Sequence, residues 1–279
     1  MRIGFIGSGR MGRPMIDRLT TAGHDVTVHA RTPRTRAAAT ADGLTVADTV
    51  AATVEGAHAV FVTVLTDAQV REVCLGPDGA VAGMRPGATL VQHTTCDPAT
   101  VGAVAEAGAA RGVDVLDAAL SGGPHDIGDG RLTLWVGGDE TALDRVRPLL
   151  DAYASPVLHV GATGDGQRLK LVNNALFVAQ VGLAVDAVRL AESLGLGEST
   201  VLAALQHGSG ASRALQVVAR GGTVDSVADR LADLMSKDVG TVREVTDRAG
   251  VDLGIIGTVL ASEAVEKRVL RKSPGSSGS

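Results

Sequence analysis

A short apolar run, Arg2-Ile3-Gly4-Phe5-Ile6, leads directly into Gly7-Ser8-Gly9-Arg10-Met11-Gly12, and a helical pattern then continues to about Thr21. Three glycines at this spacing occur often by chance. Placed after a strand and at the start of a helix, they narrow the possible folds sharply. Gly7 permits the tight turn, Gly9 lets the backbone approach a pyrophosphate, and Gly12 allows the helix to pack closely. The free N–H groups of the helix start and their partial positive charge suit an anion. With Ser8, Arg10 and Met11 they form a candidate cofactor-binding loop. The competing explanation is an ordinary tight strand-to-helix turn, and the surrounding context favours a dinucleotide.

The second strand, Asp25-Val26-Thr27-Val28-His29, ends at Ala30-Arg31-Thr32-Pro33-Arg34-Thr35-Arg36. In folds that bind NAD, a carboxylate near this point hydrogen-bonds the ribose 2′-hydroxyl. No Asp or Glu stands between His29 and Ala41. Arg31, Arg34 and Arg36 stand there with the hydroxyls of Thr32 and Thr35, and guanidinium forks match a phosphate. The alternative is a solvated basic loop. The pattern favours a 2′-phosphate and hence NADP, with NAD as the other possibility.

Further along, Ala47 to Val54 reads as helical and His58 to Leu65 as a buried strand closed by the helix-capping pair Thr66-Asp67. Strands follow at Gly87 to His93, at Val113 to Asp117, at Leu132 to Val136 and at Val157 to Val160, with helices from about Ala99 to Arg111 and Glu140 to Tyr153 between them. Strands alternating with helices across short connections indicate a doubly wound parallel sheet of the Rossmann type. Ligands of such sheets bind beyond the carboxyl ends of the strands. Gly7, Leu65, Thr95 and Ser121 all lie at such ends.

Past Val160 the strand-like runs stop. Gly164-Asp165-Gly166-Gln167-Arg168-Leu169-Lys170-Leu171-Val172-Asn173-Asn174 opens a helix that runs to about Gly195, roughly 40 Å at 1.5 Å per residue. That is long enough to join a sheet domain, residues 1–162, to an all-helical domain, residues 163–272. A Ser- and Gly-rich tail, residues 273–279, lies outside the fold. Lys170, Asn173 and Asn174 stand at i, i+3 and i+4, so they share one helical face. They are either polar residues at a helix start or part of a site at a domain junction.

The composition limits the partners. The chain has 279 residues, 45% of them hydrophobic, and a net charge of −5 with no dense Lys/Arg stripe, which argues against nucleic acid. The stretch from Leu171 to Val185 is uncharged but carries Asn173, Asn174 and Gln180, too short and too polar to span a membrane. Two cysteines, Cys74 and Cys96, form no framework, and the N-terminus shows no signal-peptide pattern, so a cytoplasmic protein is expected. No His/Cys/Asp/Glu spacing suggests a metal site. His93 and His207 read as structural or pocket-lining, and Cys96 as a small packing residue.

The chain resembles the β-hydroxyacid dehydrogenases, the family of 3-hydroxyisobutyrate dehydrogenase and tartronate semialdehyde reductase, from about Arg2 to Leu270. The resemblance rests on four motifs in order: Gly4 to Met15, Asp117-Ala118-Ala119-Leu120-Ser121-Gly122-Gly123, Gly164 to Asn174, and Lys237-Asp238. It implies a catalytic lysine at Lys170 and a substrate amide at Asn174. It also implies that Ser121, Gly122 and Gly123 hold a substrate carboxylate, that Leu65, Thr66 and Thr95 line the nicotinamide side, and that Lys237 approaches cofactor and substrate. It further implies a homodimer or homotetramer formed through the helical domain. Two departures stand out: Ala30-Arg31-Thr32 where NADP-preferring members have Asn-Arg-Thr, and Gln92-His93-Thr94-Thr95 where members often have Asp-x-Ser-Thr.

The expected reaction is hydride transfer between NADP(H) and a small anionic hydroxy acid or semialdehyde. A lysine ammonium bonded to the carbonyl oxygen can polarise it and donate the proton as alkoxide develops. Two rivals remain. Imine reductases resemble the same architecture but commonly carry Asp or Tyr at the position of Lys170. A non-catalytic NADP-binding sensor could keep Gly7, Gly9 and Gly12 while losing Lys170 and Asn174; this chain keeps them all.

Overall fold

The computed structural model describes residues 1–270. The chain divides into two compact units, Met1–Lys170 and the remainder from Leu171. The first contains β1 (Arg2–Ile6), α1 (Gly12–Thr21), β2 (Asp25–His29), α2 (Pro33–Ala41), β3 (Thr45–Ala47), α3 (Val50–Val54), β4 (Ala59–Val62), α4 (Asp67–Leu75) and α5 (Ala80–Gly83). It continues through β5 (Thr89–Gln92), α6 (Pro98–Ala109), β6 (Asp114–Ser121), α7 (Pro124–Gly128), β7 (Leu132–Gly137), α8 (Glu140–Leu150), β8 (Ala154–Gly161) and the start of α9 (Asp165–Ser193). One eight-stranded sheet has the order β3-β2-β1-β4-β5-β6-β7-β8.

The doubly wound sheet is as the strand–helix alternation implied, with one antiparallel pair, β6 with β7. The segment between these strands, residues 122–131, is shorter than the dozen or so residues that a parallel crossover needs. It therefore turns back and pairs Ser121 with Thr133. Two other details differ from the sequence reading. Thr45–Ala47 forms an edge strand on β2 where a helix was expected from Ala47, because Thr49 caps the helix only from Val50. Strand β6 also extends to Ser121 instead of ending at Asp117.

Side chains alternate across the sheet, as strand geometry requires. Ile3, Phe5, Phe61 and Val91 enter the layer beneath α1 and α8, while Ile6, Val60, Val62 and Leu90 enter the layer beneath α3 to α6. Aromatic residues are only 2% of the chain, yet several are concentrated in the first layer. Phe5 stacks on Phe61 with ring centroids 5.8 Å apart, and Phe61 stacks on His93 at 5.9 Å. Tyr153 meets both Phe61 and His93 edge-on. His93 is therefore structural. Its Nδ1 lies 2.7 Å from the carbonyl of Ala118, which can only accept, so Nδ1 carries the proton. Nε2 then accepts from the Tyr153 hydroxyl at 2.9 Å. Burial holds the imidazole down to about 4.

The second unit is helical throughout its described length: α9 continues, followed by α10 (Glu198–Leu205), α11 (Arg213–Gly221), α12 (Val224–Ala249), α13 (Gly254–Leu260) and a π-helical turn at Ala264–Val269. Val178, Val181 and Val185 of α9 share a core with Leu215 of α11, Val239 of α12 and Val265 of the π-helical turn. The contact at Gly182 is close, since a Cβ there would stand 2.3 Å from Val265 Cγ2. By length and composition alone α9 could cross a bilayer, but 56% of its apolar window is buried within the protein, as in a core helix. The units part between Lys170 and Leu171, later than the expected boundary at 162/163, because the first turn of α9 is hydrogen-bonded into the sheet unit. The expected tail, residues 273–279, lies outside the described residues.

The buried imidazole makes stability depend on pH. The unfolded chain takes up a proton near 6.5 and folded His93 only near 4, so the unfolded state binds more protons between these values. The contribution of His93 is complete above 6.5 and is lost as pH falls toward 4, a change of about 3 kcal/mol at most. Urea unfolding at pH 7 and pH 4.5 should show a smaller acid-induced loss for His93→Asn than for the natural chain. Equal losses would show that His93 does not carry this dependence.

Candidate active site

Glycines shape the loop after β1 for two different reasons. Gly7 has φ +105°, and a Cβ there would lie 2.1 Å from the Thr63 carbonyl oxygen on the neighbouring strand end. A Cβ on Gly12 would lie 2.0 Å from the Gly7 carbonyl oxygen. Both positions are closed by the protein itself. Gly9 is exposed, and nothing lies within 4 Å of a Cβ built there. The backbone of Gly9 is therefore open to solvent, the geometry expected where a pyrophosphate approaches it. Helix α1 has no side-chain cap and no acidic residue in its first turn. Arg10 is exposed beside the loop, whereas Met11 packs against the sheet core.

At the end of β2, Thr32 begins α2 through a reciprocal cap with Thr35. Arg31 and Arg34 are exposed and have no ion pair among the described residues, while Arg36 pairs with Asp48 at 2.7 Å. The arginine set is thus two uncommitted cations and one that Asp48 partly neutralises. His29 Nδ1 and Arg36 Nε are buried without hydrogen-bond partners. An open cleft of about 590 Å³ lies against this segment, lined by Arg31, Pro33, Arg36 and Ala37 among others. One unpartnered polar atom on each of His29 and Arg36, beside the exposed Arg31 and Arg34, makes this cleft polar and cationic.

Strands β1 and β4 are paired so that Ile6 lies opposite Val62, which sets the segment after β4 beside the glycine loop. Leu65 on that segment is 70% exposed. Thr66 caps α4, and Gln69 returns a hydrogen bond to the backbone of Thr66 and Leu65. Thr94 ties the end of β5 to this segment through Val64. Thr95 follows it, partly exposed.

At the end of β6, the Ser121 hydroxyl has no hydrogen-bond partner among the described residues and is partly exposed. Gly122 has φ +132°. The Gly123 N–H is already given to Asp126 Oδ2 at 2.7 Å, an internal cap that starts α7. Of the three residues expected to hold a carboxylate, Ser121 and Gly122 therefore keep uncommitted donors and Gly123 does not.

Asp117, four residues earlier in β6, is completely buried. Its carboxylate accepts from Gly164 N at 2.6 Å and from Gln167 N at 2.7 Å, capping the start of α9. Burial pushes this carboxyl up to about 6, against the pull of its N–H donors. Gly166 must be a glycine here, since a Cβ would meet the carbonyl oxygens of Asp117 and Trp135 at 2.6 Å. The Gln167 side chain accepts from Cys96 N at 3.1 Å and donates to Gln92 Oε1 at 3.1 Å and to Thr94 O at 3.0 Å. Lys170 stands three residues further along α9, partly buried.

In the second unit, Asn174 is buried and donates to Asp238 Oδ2 at 2.8 Å, and its own carbonyl accepts from Asn173 at 3.2 Å. One amide N–H of Asn174 remains for a ligand. Lys237 precedes Asp238 on α12 and is partly buried. Sequence reasoning singled out Lys170 and Asn174 as candidates but missed the anchoring roles of Asp117, Gln92 and Gln167. Asp117 and Gln92 were signalled only as polar residues within apolar strand runs, and Gln167 only by its place in a glycine-flanked polar turn.

Two family models match the chain. One, described as the NAD binding domain of 6-phosphogluconate dehydrogenase, covers residues 2–161. The other, described as NAD-binding of NADP-dependent 3-hydroxyisobutyrate dehydrogenase, covers residues 164–272. An NAD-dependent L-serine dehydrogenase of Pseudomonas aeruginosa is 32% identical over 87% of this chain and 84% of its own. A 3-hydroxyisobutyrate dehydrogenase of the same organism is 33% identical over 77% of this chain and 72% of its own. Among solved structures, a Mycobacterium tuberculosis 3-hydroxyisobutyrate dehydrogenase superposes with a TM-score of 0.83 and 28% identity, covering 95% of each chain.

The two kinds of glycine should separate experimentally. Gly9→Ala should leave thermal unfolding within about 0.5 kcal/mol of the natural chain and weaken NADPH at least about tenfold in calorimetry. Gly12→Ala should destabilise the fold by about 1–3 kcal/mol through overpacking. Unchanged NADPH affinity in a folded Gly9→Ala protein would remove the pyrophosphate from this loop.

Proposed function

We propose, for a chain that belongs to the β-hydroxyacid dehydrogenase family of NAD(P)-binding oxidoreductases, that it interconverts a small 3-hydroxy acid and its semialdehyde with Lys170 as general acid and base. The observation that carries this reading is the anchoring of α9. Asp117 and Gln167 pin its first turn to the carboxyl ends of the strands, and Lys170 follows within one turn. That is the side of the sheet on which ligands of such folds bind.

When bound, the nicotinamide supplies or takes the hydride. Toward the alcohol, the Lys170 ammonium hydrogen-bonds the carbonyl oxygen and delivers its proton there as negative charge develops. In the opposite direction the neutral amine accepts the hydroxyl proton. The Ser121 hydroxyl takes a carboxylate oxygen. In the second unit, Asn174, held by Asp238, keeps an N–H that we assign to a substrate group. Lys237 adds a cation near an anionic substrate. A lysine at position 170 supports alcohol chemistry over imine reduction.

The cofactor we assign is NADP, held at its pyrophosphate by Gly7 to Gly12 and at its 2′-phosphate by Arg31, Thr32 and Arg34, with Arg36 behind them. The substrate class follows the two Pseudomonas relatives, one named for a 2-methyl-3-hydroxy acid and one for a 2-amino-3-hydroxy acid. A second copy of the chain is the proposed partner. Val172, Leu176, Leu183 and Leu190 lie along one stripe of α9 and are exposed, an apolar surface suited to a dimer. Cytoplasmic location accords with two buried cysteines.

Lys170→Met keeps the apolar stem and removes the ammonium. Single-turnover hydride transfer with a 3-hydroxy acid and pre-bound cofactor should slow by on the order of 10²–10⁴, with melting temperature and cofactor affinity nearly unchanged. Lys170→Arg should fail as well, because a guanidinium stays charged and presents its donors differently. Near-normal transfer in Lys170→Met would move the proton to another group.

Cofactor choice is tested separately. NADPH should bind at least about tenfold more tightly than NADH, equivalent to about 1.4 kcal/mol, and Arg31→Ala should shrink that ratio. Equal affinities in the natural chain would exclude the 2′-phosphate site.

A further inference from the structure

Asp126 lies on the turn that the proposed reaction uses, and the reaction gives it no task. Its Oδ2 accepts the Gly123 N–H at 2.7 Å, and its Oδ1 stands 3.6 Å from Nε2 of the exposed His125. The side chain is 20% exposed. The next acid, Asp129, is paired with Arg131 at 2.6 Å. A carboxylate can accept about four hydrogen bonds, so Asp126 keeps capacity after capping α7.

At the other end of the same turn, the Ser121 hydroxyl is uncommitted among the described residues. The turn thus carries a hydroxyl donor at Ser121 and an anion at Asp126. A carboxylate alone is accepted by the first and repelled by the second at short range, while an ammonium has the opposite preference. A small molecule that carries both satisfies both.

We propose that Asp126 is a specificity-determining residue that selects 2-amino-3-hydroxy acids over 2-alkyl-3-hydroxy acids, pairing with the ammonium while Ser121 takes the carboxylate. This rests on the reading of Ser121 to Gly123 as the substrate turn. A methyl group and an ammonium are close in size, so charge decides between the two classes. The methyl compound gains nothing from Asp126, and its carboxylate is repelled there at short range.

The test compares 2-amino-3-hydroxypropanoate with 2-methyl-3-hydroxypropanoate on the full-length, cofactor-saturated protein, reading both kcat/KM and calorimetric Kd. The natural chain should favour the amino compound at least about tenfold. Asp126→Asn still offers an oxygen to the Gly123 N–H, so the melting temperature should hold while the preference disappears. His125→Gln should keep the preference, which separates the carboxylate from its neighbour. Equal Kd values in the natural chain, or a preference that survives Asp126→Asn, would overturn the proposal. If hydride transfer still depended on Lys170 in that case, the proposed reaction would stand without it. Amino-compound affinity that depends on Asp126, with no hydride transfer, would refute the reaction and support the selectivity.

Discussion

A carboxylate shut away from water holds the start of the long helix to the sheet. Two backbone N–H groups, from Gly164 and Gln167, converge on the two oxygens of Asp117. An amide could not do the same, because it has one acceptor oxygen and its NH₂ would face a donor. Burying the charge is unfavourable, as the raised carboxyl shows, and the helix N-terminus offsets part of that cost with its free N–H groups and partial positive charge. Gly166 and Gly137 leave the space in which this contact forms, since a Cβ on either would stand within 2.9 Å of an Asp117 carboxylate oxygen. The position of Lys170, within one turn along α9, follows from this cap and from the Gln167 network beside it.

The loops at the strand ends differ in how far their backbone donors are already used within the protein. The ends of β4 and β5 are tied together through Thr94 and Val64, and Gln69 fixes the turn into α4. Val64, Leu65 and Thr66 all give their backbone N–H groups to the side chains of Thr94 and Gln69. The loop after β1 leaves the first turn of α1 uncapped, so its N–H groups remain available to an anion. A phosphate can bind there without breaking an existing protein contact.

Much of this was legible in the sequence, and what was missed has a common cause. Residues 7–12 announce themselves because strand, glycines and helix are contiguous, so local context tests the motif. Lys170 and Asn174 are legible because helical spacing places them together. The three-residue edge strand at Thr45–Ala47 is too short for any period to register. The antiparallel turn from β6 to β7 depends on the length of a connection whose helix, Pro124–Gly128, has only five residues. Asp117, Gln92 and Gln167 act across separations of 47 to 75 residues. No spacing rule links positions so far apart, and an acid within an apolar strand reads as a surface residue until its partners are known.

Overall charge says little about how such a chain sorts its ligands; the sign at each strand end says more. The net charge is −5, yet the segment after β2 presents Arg31 and Arg34 without acidic partners among the described residues, while the turn after β6 presents Asp126. Both lie at carboxyl ends of the same sheet, separated in strand order by β1, β4 and β5. Charges separated by more than about 10 Å are largely screened at ordinary ionic strength, so each end acts on the ligand group directly against it. On the proposed reading, the cationic end holds a phosphate while the other end discriminates among small substrates. Their independence means that a charge on the proposed substrate turn, such as the Asp126 carboxylate that accepts the Gly123 N–H, leaves the proposed cofactor site undisturbed.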